Sequence, residues 1–184
     1  MTSFYDLGVN PALVKPLNNA GIRDPFPIQV ATLPDAIAGR DVLGRGQTGS
    51  GKTLAFGLAL LHNIYGKKAK PHQPLALVLA PTRELAQQID EVLHPLARSI
   101  GHDSVVIAGG MPYGKQVNAL KKATSILVAT PGRLIDLLEK DEVRFDALQI
   151  TVLDEADQMA DMGFLPAVKQ ILNQTRKGSQ RMLF

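Results

Sequence analysis

Short apolar runs alternate along this chain with longer stretches of helical period. The runs are Val42-Leu43, Leu75 to Ala80, Ser104 to Ala108, Ile126 to Ala129 and Ile150 to Leu153. Most are apolar throughout instead of alternating with polar residues, as in parallel strands covered on both faces. Between them the pattern predicts helices over Lys52 to Tyr65, Arg83 to Ile100, Gly114 to Lys122, Pro131 to Glu139 and Pro166 to Asn173. The first is apolar nearly all round and is expected to be buried. The second is amphipathic, with Leu85, Ile89, Val92 and Leu96 at helical spacing. Pro95 is expected to kink it or split it in two. Alternation of this kind predicts an α/β fold, a mostly parallel, doubly wound sheet with helices on both faces.

Each run is followed at once by glycine-rich or polar sequence. In a parallel sheet all these segments fall on the carboxyl edge, where open α/β folds bind ligands. The segment Gly66 to Pro74 reads as an exposed connection, and its lysines fit a solvated loop better than a nucleic-acid tether.

Composition narrows the field. The 184 residues suit one globular domain with a core. No apolar stretch approaches the roughly 20 residues of a membrane span, and the first residues do not read as a signal peptide. The chain has no cysteine, which excludes a disulfide framework and fits a reducing cytoplasm. His62, His72, His94 and His102 lack metal-ligand spacing. A net charge of +3 is compatible with nucleic acid but too small to argue for it.

Two segments carry the chemistry. Gly46-Gln47-Thr48-Gly49-Ser50-Gly51-Lys52-Thr53 fits the phosphate-loop pattern and sits, as that pattern requires, between an apolar strand and a helix. Backbone N–H groups would curl around phosphate oxygens, Lys52 would supply a point charge, and Thr53 a hydroxyl for Mg²⁺. The last apolar run ends in Asp154-Glu155-Ala156-Asp157. There Asp154 would hold the metal, partly through water, and Glu155 would handle the attacking water. Asp157 could instead cap the next helix. Together the segments predict hydrolysis of a nucleoside triphosphate, with Glu155, Asp154 and Lys52 as the catalytic set.

Three further strand ends suggest a second surface. Pro81-Thr82-Arg83 and Thr130-Pro131-Gly132-Arg133 both read as helix starts bearing an arginine, and Gly109-Gly110 lies between them. They could track a sugar–phosphate backbone with little sequence preference. With few aromatics and no Trp, base stacking is not the expected mode. Gly21 to Gln29 is stiffened by Pro25 and Pro27 and ends in an amide that could read an adenine edge, although a structural turn explains it as well.

These motifs, in this order, resemble the N-terminal RecA-like lobe of the DEAD-box ATP-dependent RNA helicases, most nearly the bacterial RhlE-like branch. The resemblance runs from Phe4 to Phe184. It implies that residues 1–184 form one ATP-binding lobe, with the adenine-reading Q motif within residues 1–35. Arg23, Pro25 and Gln29 would then contact adenine and Phe4 would stack on it. ATP or ADP with Mg²⁺ would occupy the phosphate loop, and RNA the other three segments. Gly46 departs from the family's usual alanine. The Ser-Ala-Thr motif and the second RecA-like lobe, with its arginine finger, lie outside this sequence. The lobe alone is expected to be monomeric, to bind nucleotide and to turn over negligibly. A P-loop ATPase acting on DNA or protein is the alternative, against which the Gln29 segment and the full Asp-Glu-Ala-Asp sequence speak.

Overall fold

A computed structural model describes residues 2–47 and 49–184, so the expectation placed on Thr48 lies outside the described residues. Six parallel strands form the sheet in the order β1-β6-β5-β2-β4-β3. They are β1 (Val42–Leu43), β2 (Ala76–Leu79), β3 (Ser104–Ile107), β4 (Ile126–Ala129), β5 (Ile150–Leu153) and β6 (Gln180–Leu183). The helices are α1 (Pro11–Asn19), α2 (Pro27–Ile37), α3 (Lys52–Ile64), α4 (Arg83–Ser99), α5 (Tyr113–Lys121), α6 (Pro131–Glu139), α7 (Ala156–Asp161) and α8 (Leu165–Asn173).

The central strands feed two cores. In β2, Ala76 and Val78 point to one face, where they meet α1 to α4, while Leu77 and Leu79 point to the other, against α5, α6 and α8. Strands β4 and β5 are likewise buried on both faces. Burial on both sides explains the unbroken apolar runs. Most of α3 is buried, as its all-round apolarity implies.

Several expectations need correction. Strand β6 was not expected, because its polar start, Gln180-Arg181, hides a strand that lies between β1 and β5. Helices α1 and α2 were not expected either, since Pro11 and Pro27 begin them and Pro16 and Pro34 lie inside them. Pro95 does not split α4, which continues from Arg83 to Ser99. The buried stripe of α4 holds that helix together. It consists of Ala86, Ile89, Leu93, Leu96 and Ala97, so Leu93 faces the core and Val92 lies at the surface.

The strand order also sorts the chemistry. β1, β6 and β5 lie together and end in the phosphate loop, Phe184 and Asp154. β2, β4 and β3 lie together and end in the segments that carry Arg83, Arg133 and Gly110.

Candidate nucleotide and nucleic-acid site

The phosphate loop leaves β1 and runs into α3, where Gly51 is the N-cap with φ of 83°. A left-handed turn of this kind suits glycine. Gly51 is also pressed upon: a Cβ there would lie 2.6 Å from both Gln29 Nε2 and Phe26 Cδ2. Gly46 is tight as well, since its Cβ would fall 2.5 Å from Ser50 Oγ and 2.6 Å from Ile28 Cδ1. The departure from the family's usual alanine therefore has a local packing reason.

Lys52 opens α3 and turns toward the end of β5. Its ammonium pairs with the Glu155 carboxylate and lies 3.2 Å from Asp154 Oδ1. Burial alone would lower the Lys52 pKa, but the two carboxylates outweigh it and hold the group above its ordinary value. Asp154 is fully buried, and neither of its carboxylate oxygens has a hydrogen-bond partner. Burial pushes its pKa up, against the pull of Lys52. Glu155 adopts the left-handed conformation, φ 57° and ψ 49°, at the N-cap of α7. A non-glycine residue held there stores strain of a kind that clusters at functional sites. Its N–H donates to Phe184 O at 3.0 Å, which ties the turn to β6. Asp157 is exposed and does not cap α7; Glu155 holds that position, without a side-chain capping bond.

A cavity of about 560 Å³ opens between Gly44 to Gly46, Lys52, Glu155, Asp157 and Phe184. Its chemistry suits a triphosphate with Mg²⁺. A buried carboxylate lacking hydrogen bonds is costly, and Asp154 shares its neighbouring cation, Lys52, with Glu155, so a further cation would complete it. No group of three His, Cys, Asp or Glu able to hold a metal exists among the described residues. Mg²⁺ would thus rely on Asp154, the Thr53 hydroxyl, phosphate oxygens and water, its usual donor set. Gln47 and Gly49 are exposed on the loop, and Ser50 is half-buried with its hydroxyl unpartnered.

Gln29 bridges two segments. Its Nε2 donates to Gly51 O at 2.9 Å, and its Oε1 accepts from Phe26 N at 2.8 Å. A second cavity of about 560 Å³ opens beside it, lined by Ile22, Arg23, Phe26, Gln29 and Leu54 among others. The stacking expectation for Phe4 does not fit this arrangement. Phe4 is 2% exposed and belongs to the apolar core with Leu13 and Leu17. The apolar walls of the cavity are Ile22, Leu54 and the half-exposed Phe26, none of which the sequence reading singled out. Pro25 is half-buried next to them.

The other three strand ends converge. Thr82 caps α4 by accepting from Leu85 N at 3.1 Å. Thr130 occupies the N-cap of α6 without such a bond. Arg83 Nη1 donates to Gly110 O at 3.4 Å, and Arg133 Nη1 to Met111 O at 3.3 Å. Both arginines therefore hold the turn after β3. Pro81 and Pro131 are buried, which leaves Arg83, Gly109, Gly110 and Gly132, with the half-buried Thr82, Thr130 and Arg133, to form the surface.

Residues 26–184 match the family model described as DEAD/DEAH box helicase. The chain belongs to this family. It is similar to the DEAD-box ATP-dependent RNA helicase 9, mitochondrial, of Arabidopsis thaliana, at 43% identity over 97% of the chain and 30% of that protein. It is also similar to the ATP-dependent RNA helicase DbpA of Escherichia coli (strain K12), at 46% identity over 100% of the chain and 40% of that protein. The chain thus spans well under half the length of these relatives. The parallel sheet with helices on both faces is the RecA-like α/β fold of the DEAD domain. Among the described residues no helix is long and apolar enough to cross a membrane.

Proposed function

We propose that this chain is the ATP-binding and RNA-binding N-terminal lobe of an ATP-dependent RNA helicase, which couples ATP hydrolysis to separation or remodelling of RNA duplexes. The observation that carries the reading is the fully buried Asp154 carboxylate beside the phosphate loop, which accepts no hydrogen bond and faces Lys52, 3.2 Å from its Oδ1. The names of both relatives support it.

In this reading backbone N–H groups from Gln47 to Gly51 cradle the phosphates, and Lys52 binds the β- and γ-phosphates. Thr53 and Asp154 hold Mg²⁺, which when bound neutralises phosphate charge. Glu155 orients a water and takes its proton as the water oxygen attacks the γ-phosphorus. The bond to the β-phosphate oxygen breaks, giving ADP and phosphate. Lys52 must leave Glu155 before that carboxylate can act. Gln29 reads adenine with its remaining donor and acceptor capacity, beside Arg23 and Pro25.

Arg83, Arg133 and the glycine turn contact the sugar–phosphate backbone of RNA. A second RecA-like lobe completes the ATP site in the family. An arginine finger can be worth roughly 10³–10⁵ in rate, so this lobe alone, as a monomer, holds nucleotide with negligible turnover. With no cysteine in the chain, a cytoplasmic setting is proposed. The test is a calorimetric titration with ADP and with GDP, each with Mg²⁺. Selective ADP binding supports the reading, and equal binding of the two removes the adenine assignment.

A further inference from the structure

Gln116 belongs to neither the nucleotide-binding motifs nor the three strand-end segments that face RNA. It lies on α5 and is 2% exposed. Its Nε2 donates to Ala108 O at 3.0 Å, where β3 gives way to Gly109-Gly110. Its Oε1 accepts from Arg133 Nη1, also at 3.0 Å. One buried amide thus joins the glycine turn to the arginine at the start of α6. The Arg133 guanidinium is further supported by the Tyr113 ring, 5.5 Å from its centroid.

A buried amide engaged on both sides cannot turn without losing a bond, which fixes the relative position of the groups it joins. Arg133 commits one nitrogen, Nη1, to Gln116 and Met111. A guanidinium has five N–H donors in a planar fork, so donors on the other nitrogens remain for a phosphate. An arginine held this way has less freedom to lose on binding.

We propose that Gln116 is a positioning residue for RNA, holding Arg133 and the Gly109-Gly110 turn in one register so that both meet the same stretch of backbone. The proposal rests on the RNA reading given above. It adds a residue that touches no ligand itself.

The test uses the full chain and a fluorescein-labelled single-stranded oligouridylate, with polarisation measured across a salt series. The variants are Gln116→Met, which keeps the volume and removes both bonds, Arg133→Ala, and the double variant. ADP titration stoichiometry reports the folded fraction of each, so affinities refer to folded molecules. Gln116→Met should weaken RNA binding on the order of tenfold, the worth of a hydrogen bond to a charged group. The slope of log K against log salt should fall by about 0.7, one phosphate contact on a single strand. The double variant should bind no more weakly than Arg133→Ala alone. Wild-type affinity and slope for Gln116→Met, or additive losses in the double variant, would overturn the positioning role while leaving the RNA reading intact. Wild-type binding by Arg133→Ala would instead overturn the RNA reading of this edge, and the proposal with it.

Discussion

Lys52 and Glu155, separated by 103 positions in the chain, form an ion pair beside the phosphate loop. In the proposed reading, the cation that would bind phosphate is held here by the carboxylate that would activate water. On that reading, a bound triphosphate would exchange one anion for another at Lys52 and free Glu155 as a base. The pair lies at the site's opening, with Lys52 mostly covered and Glu155 about one-third exposed.

Glu155→Gln should therefore separate binding from chemistry. Its amide holds Lys52 less strongly, so ADP should bind the chain several-fold more tightly, which calorimetry would register. In the longer helicase the same change should lower kcat by roughly 10²–10⁴, the usual worth of a general base. Near-normal turnover would remove Glu155 from that role. Lys52→Ala should weaken nucleotide binding, and unchanged affinity would contradict the phosphate assignment.

Asp154 gives a prediction of opposite sign for stability and function. Its pKa is raised from 3.8 by burial, so the folded state binds its proton more tightly than the unfolded state does. By linkage, stability falls as pH rises through the range where the folded group ionises. Asp154→Asn removes that cost and leaves Lys52 paired with Glu155. The nucleotide-free variant should gain about 0.5–2 kcal/mol near neutral pH, a common size for one stabilising change. The gain should shrink as pH is lowered toward 4. Mg²⁺-dependent nucleotide binding should be lost at the same time. Thermal melts across pH, with and without Mg-ADP, check both halves.

Much of this site could be read from the sequence, for identifiable reasons. Strands β2 to β5 announce themselves because both faces are buried, and each leads directly into an unusual segment. The phosphate loop and Asp154-Glu155 are local patterns whose spacing carries their chemistry. β6 could not be read the same way: Gln180 spends its amide on Ala36 O and Arg40 O, and Arg181 turns back to Leu172 O and Thr175. The Gln180 bonds join residues far apart in sequence, and hydropathy records none of the four. Phe4 was misplaced for a related reason. The family resemblance implies stacking, but the tertiary packing that places Phe4 in one core with Leu13 and Leu17 decides that it is buried. Gln116 gave no signal either, since an isolated glutamine on a helix looks like a solvated one.

The seam between Gln29 and Gly51 should control the adenine cavity. Gln29→Ala removes the bonds to Phe26 N–H and Gly51 O, of which Gly51 O keeps only its bond from Ala55 N; each lost bond is worth about 1 kcal/mol. It should lower the melting temperature and abolish the preference for ADP over GDP. Gly51→Ala should be worse, because φ of 83° strains any side chain and the Cβ meets Gln29 and Phe26. If both variants keep wild-type selectivity, adenine is recognised elsewhere.

Gly110 tests the other surface independently. It has φ of 78°, and a Cβ there would lie 2.7 Å from Arg83 Nη1. Gly110→Ala must therefore strain the turn and push Arg83 off Gly110 O. If Arg83 and the turn bind one backbone together, the variant should lose RNA affinity and flatten the salt dependence by about one phosphate contact. ADP binding should be untouched, because Gly110 ends the β3 side of the sheet, with β4, β2, β5 and β6 between it and the phosphate loop at β1. A parallel loss of ADP affinity would mean that the turn supports the whole lobe. Unchanged binding of both ligands would mean that RNA does not use this turn.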